Sequence, residues 1–155
     1  MTIESDSRQQ TAEARNENGT ATVTRADGQV DLRECPPHVI VTSAPDWTDA
    51  FLLMRRYDAT QADEQEFAGL WIHPTREPIN LTFKVARIGE DSVDFNGGRQ
   101  QLDRFSIVLR GGSRYIGWRN QQQQLVRLVA GQNDWPAIVL AGWEKATERL
   151  LPRLK

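Results

Sequence analysis

The chain has 155 residues, of which 19 are lysine or arginine and 21 are aspartate or glutamate, so its formal net charge at pH 7 is −2. This length suits one ordinary domain with a single core, and no apolar run approaches the roughly 20 residues of a membrane-spanning helix. The N-terminal sequence has no apolar stretch typical of a secretory signal and the single cysteine excludes an internal disulfide, so we expect the cytoplasm, or a host cell's interior, and no membrane partner.

Charge is divided unevenly along the chain. Residues 1–78 contain 7 Lys+Arg and 14 Asp+Glu, whereas residues 79–155 contain 12 and 7, which gives −7 and +5. Such a division is typical of a basic surface that meets an acidic partner, or of two halves that neutralise each other. The sequence leaves both interpretations open.

The first 34 residues are predominantly polar. Residues 1–19 have almost no large apolar side chain, which predicts a flexible N-terminal tail, because ordering them would cost backbone entropy that burial does not repay. Residues 20–155 are predicted to form a single α+β domain. Within them, alternation around Asp27-Gly28 predicts an exposed hairpin over residues 20–32.

A strand and a helix follow. The apolar run of residues 38–42 predicts a buried strand, and Trp47, Phe51, Met54 and Tyr57 share one face of a helix over about residues 46–57. The acidic stretch 60–67 is interpreted as one or two further helical turns.

Residues 79–118 read as an antiparallel meander with strands at about 79–88, 91–96, 104–110 and 114–118. The turns are expected at Gly89-Glu90-Asp91, Asn96-Gly97-Gly98 and Gly111-Gly112, where glycine allows positive φ. Alternation places Phe83, Val85, Phe105 and Ile107 on an apolar face, and it places basic side chains among the polar residues of the opposite face.

The C-terminal third is predicted to cover the apolar face with helices. Asn120 and Gln123 resemble a helix cap ahead of a stripe formed by Leu125, Leu128 and Val129. A last helix is favoured from about residue 143, and residues 137–141 fit either a strand or a helix. The predicted fold is therefore α+β, with an antiparallel sheet of four to six strands and C-terminal helices packed on one face.

No residue pattern indicates an enzyme or a cofactor. His38 and His73 are far apart in sequence and Cys35 stands alone, so neither a metal site nor a convincing Cys-His pair is predicted. Carboxylates between Asp58 and Glu66 are typical of a solvated face rather than of a catalytic pair. We therefore favour a binding or accessory protein that uses no cofactor over an enzyme built from scattered residues, which the sequence leaves open.

The segment 110–114 carries the main binding hypothesis. Gly-Gly can turn backbone N–H groups toward an anion, although it is also a common hairpin connection. The predicted nucleic-acid or anion-binding residues are Lys84, Arg104, Arg110, Gly111, Gly112, Ser113, Arg114 and Arg119.

Five tryptophans offer a second kind of contact. Burial is expected for Trp71 and Trp143, whereas Trp47 and Trp135 lie beside Asp and Pro-bearing turns and are candidate exposed anchors for a base or a protein. Two functions remain open. One is binding of nucleic-acid backbone by the basic sheet face, and the other is a protein–protein interaction module that uses acidic and basic faces, as an adaptor, inhibitor or assembly subunit. The expected partners are nucleic acid, an acidic protein surface, or a second copy of the chain.

Overall fold

The computed structural model describes residues 2–5, 10–43, 47–109, 112–131 and 137–150. Strands dominate these residues and helices are few. The elements in chain order are β1 (Thr2–Ser5), β2 (Gln10–Glu17), β3 (Thr20–Thr24), β4 (Val30–Glu34), β5 (Ile40–Thr42), α1 (Trp47–Arg56), β6 (Glu64–His73), β7 (Arg76–Phe95), β8 (Gly98–Val108), β9 (Arg114–Arg119), β10 (Leu125–Ala130), β11 (Ile138–Val139) and α2 (Glu144–Thr147).

The strands form two sheets. The smaller sheet has the order β1-β2-β3-β4, and its paired strands are antiparallel. The larger sheet has the order β11-β10-β9-β8-β7-β6-β5, and β5 runs parallel to β6. The prediction of a single antiparallel sheet with four to six strands and C-terminal helices is therefore wrong.

The contacts divide the chain into two compact units. Unit 1 contains residues 1–49 and 67–83, and unit 2 contains residues 50–66 and 84–155. In unit 1, the small side chains of the inner face of β2 and β3 pack with Cys35, Leu70 and Ile72. In unit 2, Trp118 is fully buried in a cluster that also contains Leu102, Ile116 and Trp143.

Residues 10–17, which fall within the predicted tail, form strand β2. Ala12 and Ala14 are buried, and Ala14 lies opposite Val23 of β3. Two alanines at alternate positions are enough to give a polar sequence one buried face. Residues 1 and 6–9 of that segment lie outside the described part of the chain.

Several local predictions are confirmed. The hairpin around Gly28 forms between β3 and β4, with φ of +82° at that glycine. Helix α1 occupies most of the predicted range, and β5 forms within residues 38–42. The turn at Asn96-Gly97 joins β7 to β8, with positive φ at both residues. The open region 137–141 contains the two-residue strand β11, and α2 begins at Glu144.

Residues 60–67 do not extend a helix. The carboxylate of Asp58 accepts hydrogen bonds from the backbone N–H of Thr60 at 2.9 Å and from its hydroxyl at 2.7 Å, which closes a turn, and β6 begins at Glu64. Aspartate at the start of a turn satisfies the local N–H groups itself. The predicted helical extension is therefore wrong.

The helix predicted after Asn120 is also wrong. Asn120 donates its backbone N–H to the Gln124 carbonyl at 3.0 Å and accepts the Gln124 N–H on its side-chain oxygen at 2.9 Å. Gln123 has a φ of 63°. The same residue types that cap a helix here close a hairpin, and residues 125–130 form strand β10.

Gly89 lies inside a strand rather than at a turn. Strand β7 runs without a break through residues 76–95, and its register against β8 shifts between Arg87 and Gly89. The shift is a β-bulge, and one extra residue moves all later side chains to the other face. Val85 therefore lies opposite Ile107, whereas Val93 belongs to the cluster with Leu102 and Trp118.

Candidate functional site

The predicted cationic site is only partly assembled. Register places Lys84 of β7, Val108 of β8 and Arg114 of β9 in one row across unit 2, and Arg104 lies further along the same face. Arg119 lies on the opposite face, because it pairs with Asp103 rather than with Arg104. Arg110 and Gly111 are outside the described residues.

Lys84 is held by the acidic strand beside it. Its Nζ lies 2.7 Å from Glu66 Oε1 and 3.5 Å from Glu64 Oε1. Its hydrogen bond to Glu66, with the charges of both carboxylates, raises the pKa of Lys84 above its ordinary value of 10.5. Acidic residues from the 58–66 stretch thus neutralise the first predicted cation.

Arg104 belongs to a largely buried network. Its side chain is 12% exposed, and Nη1 lies 3.0 Å and 3.2 Å from the two carboxylate oxygens of Asp91. Asp91 Oδ2 also accepts the indole N–H of Trp118 at 2.8 Å. This carboxylate joins a cation to the core tryptophan, so Arg104 has a structural role.

Arg119 is buried between aromatic rings. It is 2% exposed, and its guanidinium carbon lies 4.7 Å from the ring centre of Phe105 and 5.3 Å from that of Tyr57. Its Nε and Nη2 find no hydrogen-bond acceptor among the described residues. Burial lowers the pKa of this guanidinium below the ordinary value of an arginine.

The turn before β9 is the exposed part of the predicted site. Gly112, Ser113 and Arg114 are all exposed, and Gly112 has a φ of +82°. The Ser113 carbonyl accepts the backbone N–H of Leu109 at 2.8 Å, which closes the connection from β8 to β9. No carboxylate among the described residues lies at ion-pair distance from Arg114. This turn can present one guanidinium and a few backbone donors.

The candidate aromatic anchors fall in different places. Trp47 is half-buried at the first position of α1, and Trp135 lies outside the described residues. Trp71 and Trp143 are 8% and 6% exposed, so the prediction of their burial is confirmed.

Sequence reasoning missed an exposed apolar strip in unit 1. Val30 and Leu32 of β4 are 59% and 63% exposed, and Ile79 is 41% exposed. Ile79 lies between Pro78, whose carbonyl accepts Arg33 Nε at 3.2 Å, and Asn80, whose amide donates to the Glu34 carbonyl at 3.3 Å. We call these three residues the β4 strip.

The hairpin register explains this exposure. Val30 lies opposite Thr24 and Leu32 opposite Thr22, so both aliphatic side chains share the outer face with threonines. Ala21 and Val23 occupy the inner, buried face. The sequence feature that could have predicted this exposure is the length of the loop from Arg25 to Gln29. Loop length sets which residues of the two strands pair, and therefore which side chains share a face.

Strand β4 is also an edge strand of its sheet, and its outer hydrogen-bonding groups point away from β3. The backbone N–H of Arg25 donates to the Gln29 carbonyl at 2.8 Å, and that of Cys35 donates to the Gly19 carbonyl at 2.9 Å. These two bonds fix which residues of β4 form hydrogen-bonded pairs with β3. Residues 31 and 33 therefore bond β3, whereas Val30, Leu32 and Glu34 direct their N–H and C=O groups outward.

Unit 2 contains a cavity of about 740 Å³ between the tip of the β7–β8 hairpin and residues 142–150. Phe95 stacks on Trp143 there, with ring centres 3.8 Å apart. The charged lining residues alternate in sign, since Asp94 and Glu148 stand with Lys145 and Arg149. The charges of this lining select neither an anion nor a cation.

Within the described residues, no cluster of three or more His, Cys, Asp or Glu side chains could hold a metal ion. None of the described helices has the length and apolar character required to cross a bilayer. Comparison of the chain with protein-family models, curated proteins and solved structures returns no match.

Proposed function

We propose that this chain is a non-enzymatic protein–protein interaction module, an adaptor, inhibitor or assembly subunit, that docks its partner on the outer face and edge of β2–β4. The observation that carries the proposal is the exposure of Val30 and Leu32 on an edge strand. Single exposed aliphatic residues are ordinary on a protein surface. Neighbouring ones on an open edge are typical of an interaction site.

Charge supports a protein partner over a nucleic acid. Unit 1 contains 5 Lys+Arg and 10 Asp+Glu, and the β4 strip is bordered by the exposed Glu34 and Glu77. Such a surface repels a phosphate backbone. In unit 2, the internal partners of Lys84 and Arg104 and the burial of Arg119 weaken the nucleic-acid hypothesis, which retains Arg114 with its exposed turn.

A site-specific photo-crosslink tests the proposal. A photoreactive residue is placed at Val30 in the full chain, expressed in its native cells, and a matched one is placed at Leu140, which is also exposed but lies in unit 2. We expect a protein adduct from position 30, identified by mass spectrometry, and little from position 140.

Nucleic-acid binding is measured in parallel with the crosslinking experiment. The purified chain is titrated into labelled single- and double-stranded RNA at about 0.1 M and about 1 M salt, where the screening length falls from about 10 Å to about 3 Å. We expect no tight, salt-sensitive binding. Tight binding that Arg114→Ala abolishes, together with no adduct at position 30, would favour nucleic-acid binding over the protein–protein interaction.

A further inference from the structure

We propose that β4 pairs with β4 of a second copy, antiparallel, about a two-fold axis that passes beside Leu32. The two small sheets then continue into each other. This inference rests on the proposed function, because it names a second copy of the chain as the partner of the β4 strip.

The backbone has the correct phase for this pairing. With Leu32 opposite Leu32, Val30 of one copy lies opposite Glu34 of the other. These three residues are the ones whose N–H and C=O groups point away from β3. In an antiparallel ladder they become the hydrogen-bonded pairs. Two of the outward carbonyls already accept a side-chain donor, Leu32 from Arg33 Nη1 at 3.3 Å and Glu34 from Asn80 at 3.3 Å, so these donors share the oxygens or release them when the copy pairs.

The charges of the strand select the same register. Asp31 of each copy lies opposite Arg33 of the other, in the non-hydrogen-bonded positions where side chains approach most closely. A shift of the axis to Asp31 would place that carboxylate opposite itself, and a shift to Arg33 would do the same with the guanidinium. Only the register centred on Leu32 makes two attractive pairs.

The present partners of these side chains leave room for the contact. Arg25 Nε lies 2.8 Å from Asp31, while the Arg33 guanidinium reaches Glu77 only at 3.5 Å. Arg33 also donates from Nη1 to the Leu32 carbonyl at 3.3 Å. A guanidinium has five N–H donors, so Arg33 can keep its bond to Pro78 and turn Nη1 or Nη2 toward Asp31 of the other copy. The Glu34 carbonyl accepts one N–H from Asn80 and has a second lone pair.

Edge strands are usually protected against pairing. Proline, lysine, a bulge or an inward charge is the common device, and β4 contains no proline, lysine or bulge. Its inward charges have opposite signs two positions apart, so they disfavour most strands and favour a copy of the same strand. Five residues bury a small area, and we expect a dissociation constant on the order of micromolar.

Charge reversal in separate chains tests the register. Sedimentation velocity is measured on the full chain, on Asp31→Lys and on Arg33→Glu, at concentrations up to about 0.1 mM, well above a micromolar dissociation constant. We expect the unsubstituted chain to dimerise and each variant to bind itself about tenfold more weakly or worse, since each meets two like-charge pairs. An equimolar mixture of the two variants should regain the dimer, because both cross-strand pairs are then attractive.

A monomeric unsubstituted chain overturns the proposal, and so does a mixture that associates no better than its components. Circular dichroism checks that both variants fold. If either variant does not fold, Leu32→Pro replaces it, because the backbone N–H of Leu32 points outward and its loss breaks no bond to β3. A Leu32→Pro chain that dimerises like the unsubstituted chain overturns self-pairing. A monomeric chain with an adduct to a different protein at position 30 overturns self-pairing and supports the proposed function, whereas a monomeric chain with no adduct overturns both.

Discussion

The arginines of unit 2 differ in what surrounds each guanidinium. Arg87 binds Asp103 at 2.8 Å and also contacts Glu90, and Arg104 binds Asp91. Arg119 instead lies on two aromatic rings with two nitrogen atoms lacking an acceptor in the described structure. Cation–π contact with both rings replaces part of the hydration that Arg119 loses on folding.

We expect Arg119→Met to be as stable as the unsubstituted chain, or more stable by up to about 2 kcal/mol. Each buried unpaired donor costs about 1–3 kcal/mol, whereas a desolvated cation–π contact contributes about 2 kcal/mol. Methionine keeps the apolar contact with Phe105 and Tyr57 and removes both donors. Chemical denaturation measures the free energy of unfolding of each protein.

The matched control is Arg119→Ala, which removes the charge and also the packing. It should lose about 2–3 kcal/mol to the cavity left behind. A methionine variant that loses as much as the alanine variant would mean that the guanidinium itself stabilises the fold.

At the scale of elements, local patterns predicted structure where they agreed with the long-range pairing. The three- and four-residue spacing from Trp47 to Tyr57 identified α1, and Asn96-Gly97 identified a hairpin. The Asn120 turn and the Gly89 bulge were missed because asparagine and glycine serve several local structures. The strand on the far side decides which one forms, and it lies distant in sequence.

The predicted binding residues show the same limit, because their surroundings depend on residues distant in sequence. Alternation predicted that Lys84 and Arg104 share one face of the sheet, and the register places them there, whereas Arg119 of the same predicted site lies on the other face. It gave no information about Glu66 and Asp91, which neutralise two of them. It also missed the β4 strip, since the side of the sheet on which Val30 lies depends on a loop length rather than on residue type.

The bulge in β7 constrains the backbone at Gly89, the one glycine of that strand. Its φ is +150°, and a Cβ added there would lie 3.0 Å from Arg104 Nη2. We expect Gly89→Ala to lower the free energy of unfolding by about 1–3 kcal/mol, because alanine is strained at this φ and displaces the guanidinium from Asp91. Denaturant unfolding provides the measurement.

Gly98→Ala is the control in the same hairpin. Its added Cβ would meet nothing closer than the Phe95 carbonyl at 3.9 Å, and its φ is not in the positive range. This variant should keep the stability of the unsubstituted chain. Equal losses in both variants would show that the bulge geometry at Gly89 imposes no special requirement.

For the whole molecule, the uneven charge along the sequence becomes a property of the two units. Unit 1 has a net charge of −5 and unit 2 has +3. Buried Arg119 accounts for one of these positive charges, and Arg104 is neutralised by Asp91 of the same unit. The larger net charge is therefore the acidic one, in unit 1.

Ion pairs and hydrogen-bonded carboxylates also set the pH range of stability. Hydrogen bonds from Thr60 and Gln61 lower the pKa of Asp58 below 3.8. The pKa of Glu90 is lowered below 4.5, mainly by a hydrogen bond from Gln101 and then by one from Arg87. The unfolded chain binds protons more tightly at both carboxyls, so stability falls as the pH drops through these values. At the alkaline end, Glu66 raises the pKa of Lys84 above 10.5 and burial raises that of Tyr57 above 10.0, so their contributions are lost as the pH rises through the folded values.

We therefore expect a plateau in the free energy of unfolding between about pH 5 and about pH 9.5, with a decline on either side. Urea unfolding at a series of pH values measures the profile. Asp58→Asn removes a titrating carboxylate but keeps an oxygen that can accept from Thr60, so its acid decline should be shallower. Asp94→Asn, at an exposed position of β7, is the control and should follow the unsubstituted chain. If Asp58→Asn declines as steeply as that control, the turn after α1 does not link proton binding to folding.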